Sequence, residues 1–295
     1  MKILITGGSG LLGQYLNIEL FRFNEILTIY NSHEGNCRNF SSLKADITEF
    51  KKLSKIFEQF RPGLVIHTAA FSSPILPDSV SPKEVYNLNV SATKNIAELC
   101  AKNKAKLIYT STDLVYAGYR GSMLKEDAKL IPVSLYAESK LMGEVKIKET
   151  FDNYLILRIA LIFGFGLNHS SCHFQQMYNN LKEGKKVKLF FDQFRTPISI
   201  PDAASVINEL SGFNIKTETI NVGGLERLSR ADLGERLCRI AQFDETLIEK
   251  ISMNDLPELP QAADVSLNTE KLQSYGVKLK SIDNSIEEII SVNRD

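Results

Sequence analysis

The chain has 295 residues, 43% of them hydrophobic and 24% charged, a balance that fits a folded globular protein and excludes disordered and fibrous classes. Its 35 basic and 35 acidic residues cancel to a formal net charge of +0, which leaves no global field to hold nucleic acid or a membrane surface, so an anionic ligand must be gripped locally. No apolar run approaches the ~20 residues that span a bilayer, and four scattered cysteines, Cys37, Cys100, Cys172 and Cys238, suit free thiols in a reducing compartment, so the expected location is the cytoplasm.

Ile3-Leu4-Ile5 predicts a first strand, too short for a signal-peptide core and stopped at once by glycine. A helix is expected from Leu11 to Phe23. Between them lies Thr6-Gly7-Gly8-Ser9-Gly10-Leu11-Leu12-Gly13. Gly7, Gly10 and Gly13 allow a tight turn, a close approach of backbone N–H groups to a pyrophosphate, and close packing of helix on strand. The helix N-terminus adds partial positive charge. Glycine-rich turns are common, and it is the strand before and the helix after that make this one a dinucleotide-binding signal.

The second strand, Ile26 to Tyr30, ends in Asn31-Ser32-His33 with no acid at its tip. An acid there would read the ribose of NAD, whereas a cation would suit the 2′-phosphate of NADP. His33 and Arg38 are the nearby cations, which favours NADP or dual use over strict NAD. Helical spacing over Phe50 to Phe60, Val85 to Asn103 and Ser134 to Thr150 alternates with apolar runs at Leu64–Ile66, Leu107–Tyr109 and Tyr154–Ile159. Such alternation predicts a Rossmann α/β fold: a doubly wound parallel sheet with helices on both faces.

Beyond Ile159 the pattern loosens. Helices are expected at Phe174 to Glu183, Ser229 to Ala241 and Ile282 to Val292, and a strand ends at Asn221-Val222-Gly223-Gly224. The expected division is a dinucleotide-binding domain over residues 1–164, with 191–224 returning to it, and a smaller substrate-binding subdomain from 165–190 and 225–295.

Tyr136 and Lys140 lie one helical turn apart on one face. A phenol titrates near pH ~10, and an adjacent ammonium would stabilise its phenolate and make it a usable acid or base at neutral pH. Thr112, in Ser111-Thr112-Asp113, falls at the carboxyl end of a strand, where ligands of open α/β sheets bind. A hydroxyl there can orient a substrate oxygen, although Ser, Thr and Asp also commonly cap turns. His169, Cys172 and His173 cluster without a fourth ligand or a known metal spacing, so no metal site is expected.

Together, Thr6 to Gly13, His67-Thr68-Ala69-Ala70, Asn89, Ser111-Thr112-Asp113 and Tyr136 to Lys140 resemble the extended short-chain dehydrogenase/reductases. Phe191 to Pro197, Pro201 to Ala204 and Asn221 to Gly224 are most similar to their dTDP-4-dehydrorhamnose reductase group, which binds sugar nucleotides. The resemblance implies a catalytic triad of Thr112, Tyr136 and Lys140, with Tyr136 as proton donor in the NAD(P)H-dependent reduction of a nucleotide-activated 4-keto-6-deoxysugar, dTDP-linked in that group. It implies NADP(H) or NAD(H) held by Gly7, Ser9, Gly10, Leu11, Leu12 and Gly13, with Asn31, His33, Arg38, Asp46 and Ile47 at the adenosine end. Ala69 and Ala70 would contact the middle of the cofactor, beside Tyr136 and Lys140, and Asn89, grouped with the cofactor-binding residues, would support the active site. Thr112, Asp113 and Arg195 would meet the substrate, Arg195 gripping its diphosphate unless it is merely a solvated arginine. Leu114 after Asp113 departs from the Asp-Glu pair of related dehydratases and argues against dehydration; Ala117-Gly118 and Pro260-Gln261 also depart from the reductase pattern and bear on substrate choice. An NAD-dependent sugar-nucleotide epimerase, or a non-catalytic nucleotide-binding subunit like the regulatory subunit of methionine adenosyltransferase, remain alternatives. A homodimer is the expected assembly.

Overall fold

The computed structural model describes residues 1–73 and 79–292. Its first strand, β1 (Lys2–Thr6), forms where the sequence places apolar side chains on both faces, and Ile3, Leu4 and Ile5 are all buried, as an interior strand of a parallel sheet requires. In chain order follow α1 (Leu11–Phe21), β2 (Glu25–Tyr30), β3 (Ser42–Lys44), α2 (Phe50–Phe60), β4 (Leu64–His67), α3 (Pro82–Tyr86), α4 (Ala92–Asn103), β5 (Lys106–Thr112), α5 (Leu135–Thr150) and β6 (Tyr154–Ile159). The rest of the chain holds β7 (Ile162–Phe163), α6 (His173–Lys182), β8 (Val187–Phe190), β9 (Phe194–Arg195), β10 (Ile198–Ser199), α7 (Ile200–Ser211) and β11 (Glu218–Val222). It closes with β12 (Leu228–Ser229), α8 (Arg230–Ala241), β13 (Ile248–Ile251), α9 (Glu270–Ser274) and α10 (Ile282–Val292).

The main sheet runs β3-β2-β1-β4-β5-β6-β11, parallel throughout. From β1 the chain winds one way to β2, and from β4 the other way to β5, so a crevice opens above the carboxyl ends of β1 and β4. On one face, Ile3, Ile5, Leu16 and Leu20 share a core with Ile200 and Ile207 of α7. On the other, Leu4, Phe57, Val65, Ile96, Tyr109 and Ile156 form a second core under α2 and α4. A third core gathers Phe163, Phe174, Met177, Leu189, Leu237 and Ile286 from the later segments. The tail is shared between cores, since Leu272 and Val277 pack into the first of them.

The expected Rossmann architecture is present, with two local differences. The single helix expected over Val85 to Asn103 is interrupted by a π-turn at Asn87–Ser91, a widening that helices tend to adopt at functional sites. Helix α7, not among the expected helices, buries Ile200, Ala203, Ala204, Ile207 and Leu210 at helical spacing, and its start signals are local: Pro201 lies in the first turn, and the Ser199 hydroxyl accepts from the Asp202 N–H at 3.1 Å.

Candidate active site

A cleft of about 500 Å³ lies over the switch point. Gly7, Ser9, Gly10, Leu11, Leu12 and Gly13 form one wall, Asn31, His33, Asp46 and Ile47 one end, Ala69 and Ala70 the middle, and Thr112, Tyr136 and Lys140 the other end. Gly7 sits at φ +73°, and a Cβ there would stand 2.6 Å from the Ala69 nitrogen; one on Gly13 would stand 2.1 Å from the Gly7 carbonyl oxygen. Glycine is therefore required for strand, turn and helix to close. Gly10 caps α1 with no side-chain oxygen, so the first N–H groups of the helix lack that partner and present donors and dipole to an anion. This donor set fits a dinucleotide pyrophosphate.

Asn89, Arg38, Asp113 and Arg195 do not line the cleft, and each stands behind it or beside it. Asn89 lies in the π-turn, where it donates to the Ser139 hydroxyl at 2.9 Å and to the Phe71 carbonyl at 3.1 Å, and accepts from the Phe71 N–H at 2.9 Å. One side chain thus fixes the loop after β4 to the middle of the Tyr136–Lys140 turn. Arg38 is exposed and reaches the Asn168 side-chain oxygen at 3.5 Å.

Helix α5 begins on Ser134, whose hydroxyl accepts from the Ala137 N–H, and this cap sets Tyr136 at the cleft. Burial pushes the Tyr136 phenol up to about 12, with the Asp113 carboxylate adding to the rise and the Thr112 hydroxyl opposing it. Lys140, only 2% exposed, is pushed down to about 7 by burial, against the pull of Glu144. Its Nζ sits 4.1 Å from the centre of the Tyr109 ring. The expectation that Lys140 lowers the phenol is therefore corrected: desolvation dominates both groups, and the protein's own groups leave Tyr136 a neutral, proton-bearing phenol. Behind them His67 is wholly buried between the hydroxyls of Thr6 at 2.6 Å and Thr93 at 2.9 Å, and burial holds it at about 3, hence neutral.

An unfolded lysine titrates near ~10.4, so between about 7 and that value the unfolded chain carries more protons than the fold. Wild-type stability then rises with pH across this window and is lowest below it. Lys140→Met should stabilise the protein, by more at pH 7 than at pH 10 in paired urea melts. An equal gain at both values would mean that Lys140 keeps its charge.

Asp113 is 3% exposed; its Oδ2 has no hydrogen-bond partner and lies 3.4 Å from Nε of Arg195, itself 7% exposed. Burial raises the Asp113 carboxyl against the lowering by Arg195. A solvated role for Arg195 is thus excluded by its burial. Arg230, at the start of α8, joins this group: burial pulls it down to about 10, helped by the charge of Arg195 and opposed by Asp113. Two guanidinium groups face one carboxylate, a local excess of positive charge next to Thr112. Arg230 was not singled out from the sequence, although a cation in the first turn of a helix opposes the dipole and is itself an anomaly. His169 was likewise missed as a cleft residue; its ring packs against that of His33 at a tilt. Cys172 instead donates to the Gly164 carbonyl at 3.2 Å, and among the described residues no group of three His, Cys, Asp or Glu side chains is gathered to hold a metal.

The family model described as RmlD substrate binding domain matches residues 1–294. The chain belongs to the RmlD family. The motif resemblance to the extended dehydrogenase/reductases is thereby borne out. Within the family's reach, the chain is 26% identical over 253 residues to dTDP-4-dehydrorhamnose reductase of Aggregatibacter actinomycetemcomitans, covering 86% of this chain and 82% of that one. It is 25% identical over 281 residues to methionine adenosyltransferase 2 subunit beta of Xenopus laevis, covering 94% and 83%. The crystal structure of the Bacillus anthracis dTDP-4-dehydrorhamnose reductase in complex with NADP superposes with a TM-score of 0.85 at 22% identity, covering 99% and 98% of the two chains. That last likeness establishes the shared RmlD-type fold.

Proposed function

We propose that this RmlD-family chain is an NAD(P)H-dependent reductase of a nucleotide-activated 4-keto-6-deoxysugar, with a dTDP-linked sugar the first substrate to try. The observation that carries the reading is the placement of Thr112, Tyr136 and Lys140 at one end of the same cleft whose wall is the glycine turn. NAD(P)H, held along the glycine turn, would supply the hydride. Thr112 would orient the carbonyl oxygen, Tyr136 would hold the proton for that oxygen, and Lys140 would position the cofactor beside it. A phenol held at about 12 by burial stays protonated at neutral pH, which suits the reducing direction. Arg195 and Arg230 would face the substrate diphosphate, for which planar donor forks are suited.

Purified protein should oxidise NADPH when given a dTDP-4-keto-6-deoxysugar. Product formed with no change in reduced-nicotinamide absorbance would instead identify an isomerase. Arg230→Gln should raise KM for the sugar nucleotide roughly 10- to 100-fold, the loss of a charge-assisted hydrogen bond, while cofactor affinity holds. An unchanged KM would remove Arg230 from the diphosphate site. The likeness to the methionine adenosyltransferase subunit keeps a binding role in view; failure to turn over any sugar nucleotide, with co-purification of a larger partner, would favour it.

A further inference from the structure

At the end of the cleft opposite Tyr136, two side chains meet that the reductase chemistry does not use. His33, on the loop after β2, and His169, on the loop between β7 and α6, have ring centroids 4.7 Å apart and planes tilted by 37°, and both border the cleft. The contact is built. Gln14 of α1 donates to the Leu167 carbonyl at 2.8 Å and to the Ser170 hydroxyl at 2.9 Å, and accepts from the Asn168 amide at 2.7 Å. Gly35, at φ +55°, lets the chain after β2 close against the ring: a Cβ there would stand 3.3 Å from Cε1 of His169.

The charged groups around the pair are engaged elsewhere. Glu34 accepts from the Tyr30 hydroxyl at 3.3 Å, Arg38 donates to Asn168 at 3.5 Å, and Asp46 accepts from the N–H and hydroxyl of Thr48, both at 2.8 Å. Cys37 is buried, with its thiol pushed up by desolvation. Two imidazoles this close repel once both are charged, and the remedy is an anion between or beside them. The tip of the second strand of a Rossmann sheet is where the 2′ position of the adenosine ribose is read.

Resting on the reading of the cleft as a dinucleotide site, we propose that His33 and His169 form a clasp for the 2′-phosphate of NADP(H). His169 takes up a proton from solvent as the phosphate binds, so that the choice between NADPH and NADH depends on pH. Burial, and then the neighbouring His33, hold His169 below the ordinary imidazole value. A phosphate dianion pulls that value up again, and between the two values binding takes up a proton. NADPH affinity therefore strengthens as pH falls from 8 toward 6.5, and NADH, which lacks the phosphate, shows no such trend. Below pH ~6 the phosphomonoester itself gains a proton and the trend levels off.

The test is the ratio of the NADH and NADPH dissociation constants, measured on the full chain by calorimetry at pH 8 and pH 6.5. The ratio should rise roughly tenfold in favour of NADPH, the linkage of about two-thirds of a proton over that interval. In His169→Gln and in His33→Gln, both on exposed loops, it should stay flat. A flat ratio in the wild type, or a slope that survives in both variants, would overturn the clasp with the cofactor reading intact. Failure of either dinucleotide to bind would overturn the reading of the cleft, and the clasp with it.

Discussion

Tyr136→Phe should lower kcat for ketosugar reduction by roughly 10²- to 10⁴-fold, the range of a lost general acid, with little change in cofactor affinity or in melting temperature. The substitution keeps the ring and removes one hydroxyl. Two described neighbours are not placed to replace it: the Asp113 carboxylate is buried against Arg195, and His67 is held neutral between two hydroxyls. Lys140, at about 7, can give up a proton near neutrality, though it is not the acid the fold sets at the carbonyl. Residual turnover in the variant should therefore fall as pH rises through about 7, whereas loss of the Tyr136 proton lies near about 12. A variant whose KM rises while kcat holds would show that the hydroxyl binds substrate and does not donate to it.

The parts of this site legible in the sequence are those whose logic is local. The glycine turn requires its glycines within eight residues, and its neighbours are the strand and helix it joins. Helix α2 shows its buried face as Leu53, Ile56 and Phe57, at helical spacing. Helix α5 hides its own, because Ser139, Lys140 and Glu144 occupy the buried stripe where apolar residues are expected. These polar groups are tolerated through partners far away in sequence, such as Asn89 for Ser139 and Arg158 for Glu144. The same distance conceals the short strands: β8 pairs with β13 across some sixty residues, Val187 beside Ile248. The perturbation of Tyr136 was unreadable for a related reason. Spacing places a lysine one turn away, but only the fold decides that its ammonium lies over Tyr109 and that burial outweighs its charge.

The second large effect concerns what holds α5 in place. Arg158 of β6 donates to both carboxylate oxygens of Glu144, from Nε at 3.1 Å and from Nη2 at 2.8 Å, and both side chains are almost wholly buried. Nη1 adds the Tyr116 hydroxyl and the Glu126 carbonyl, each at 2.9 Å. Ser111 of β5 donates to Glu144 at 2.6 Å, and Tyr116 donates to Asn221 of β11 at 2.8 Å. Burial works against the Arg158 charge, yet the bonds and charge of Glu144 prevail and raise its pKa overall. Three neighbouring strands and α5 are thus tied one turn below Lys140.

Arg158→Met should cost ~3–5 kcal/mol in urea unfolding, because it leaves a buried carboxylate unpaired. By contrast, breaking the exposed Lys94–Glu98 pair on α4 should cost no more than ~0.5 kcal/mol. The double variant Glu144→Leu/Arg158→Met should recover part of the loss, since no isolated charge remains, but not all of it. The Ser111 hydroxyl and the Glu126 carbonyl each lose a partner, at ~1–3 kcal/mol for a buried polar group left unsatisfied. The double variant also removes the one charge that supports the Lys140 ammonium. Added to Tyr136→Phe, it should therefore make the residual activity fall away at lower pH than in Tyr136→Phe alone, a change that a merely structural tie between helix and sheet would not produce. If the single variant loses less than ~1 kcal/mol, well below the cost of a broken buried pair, water or a shifted side chain has taken over from Arg158, and the tie is not what fixes α5.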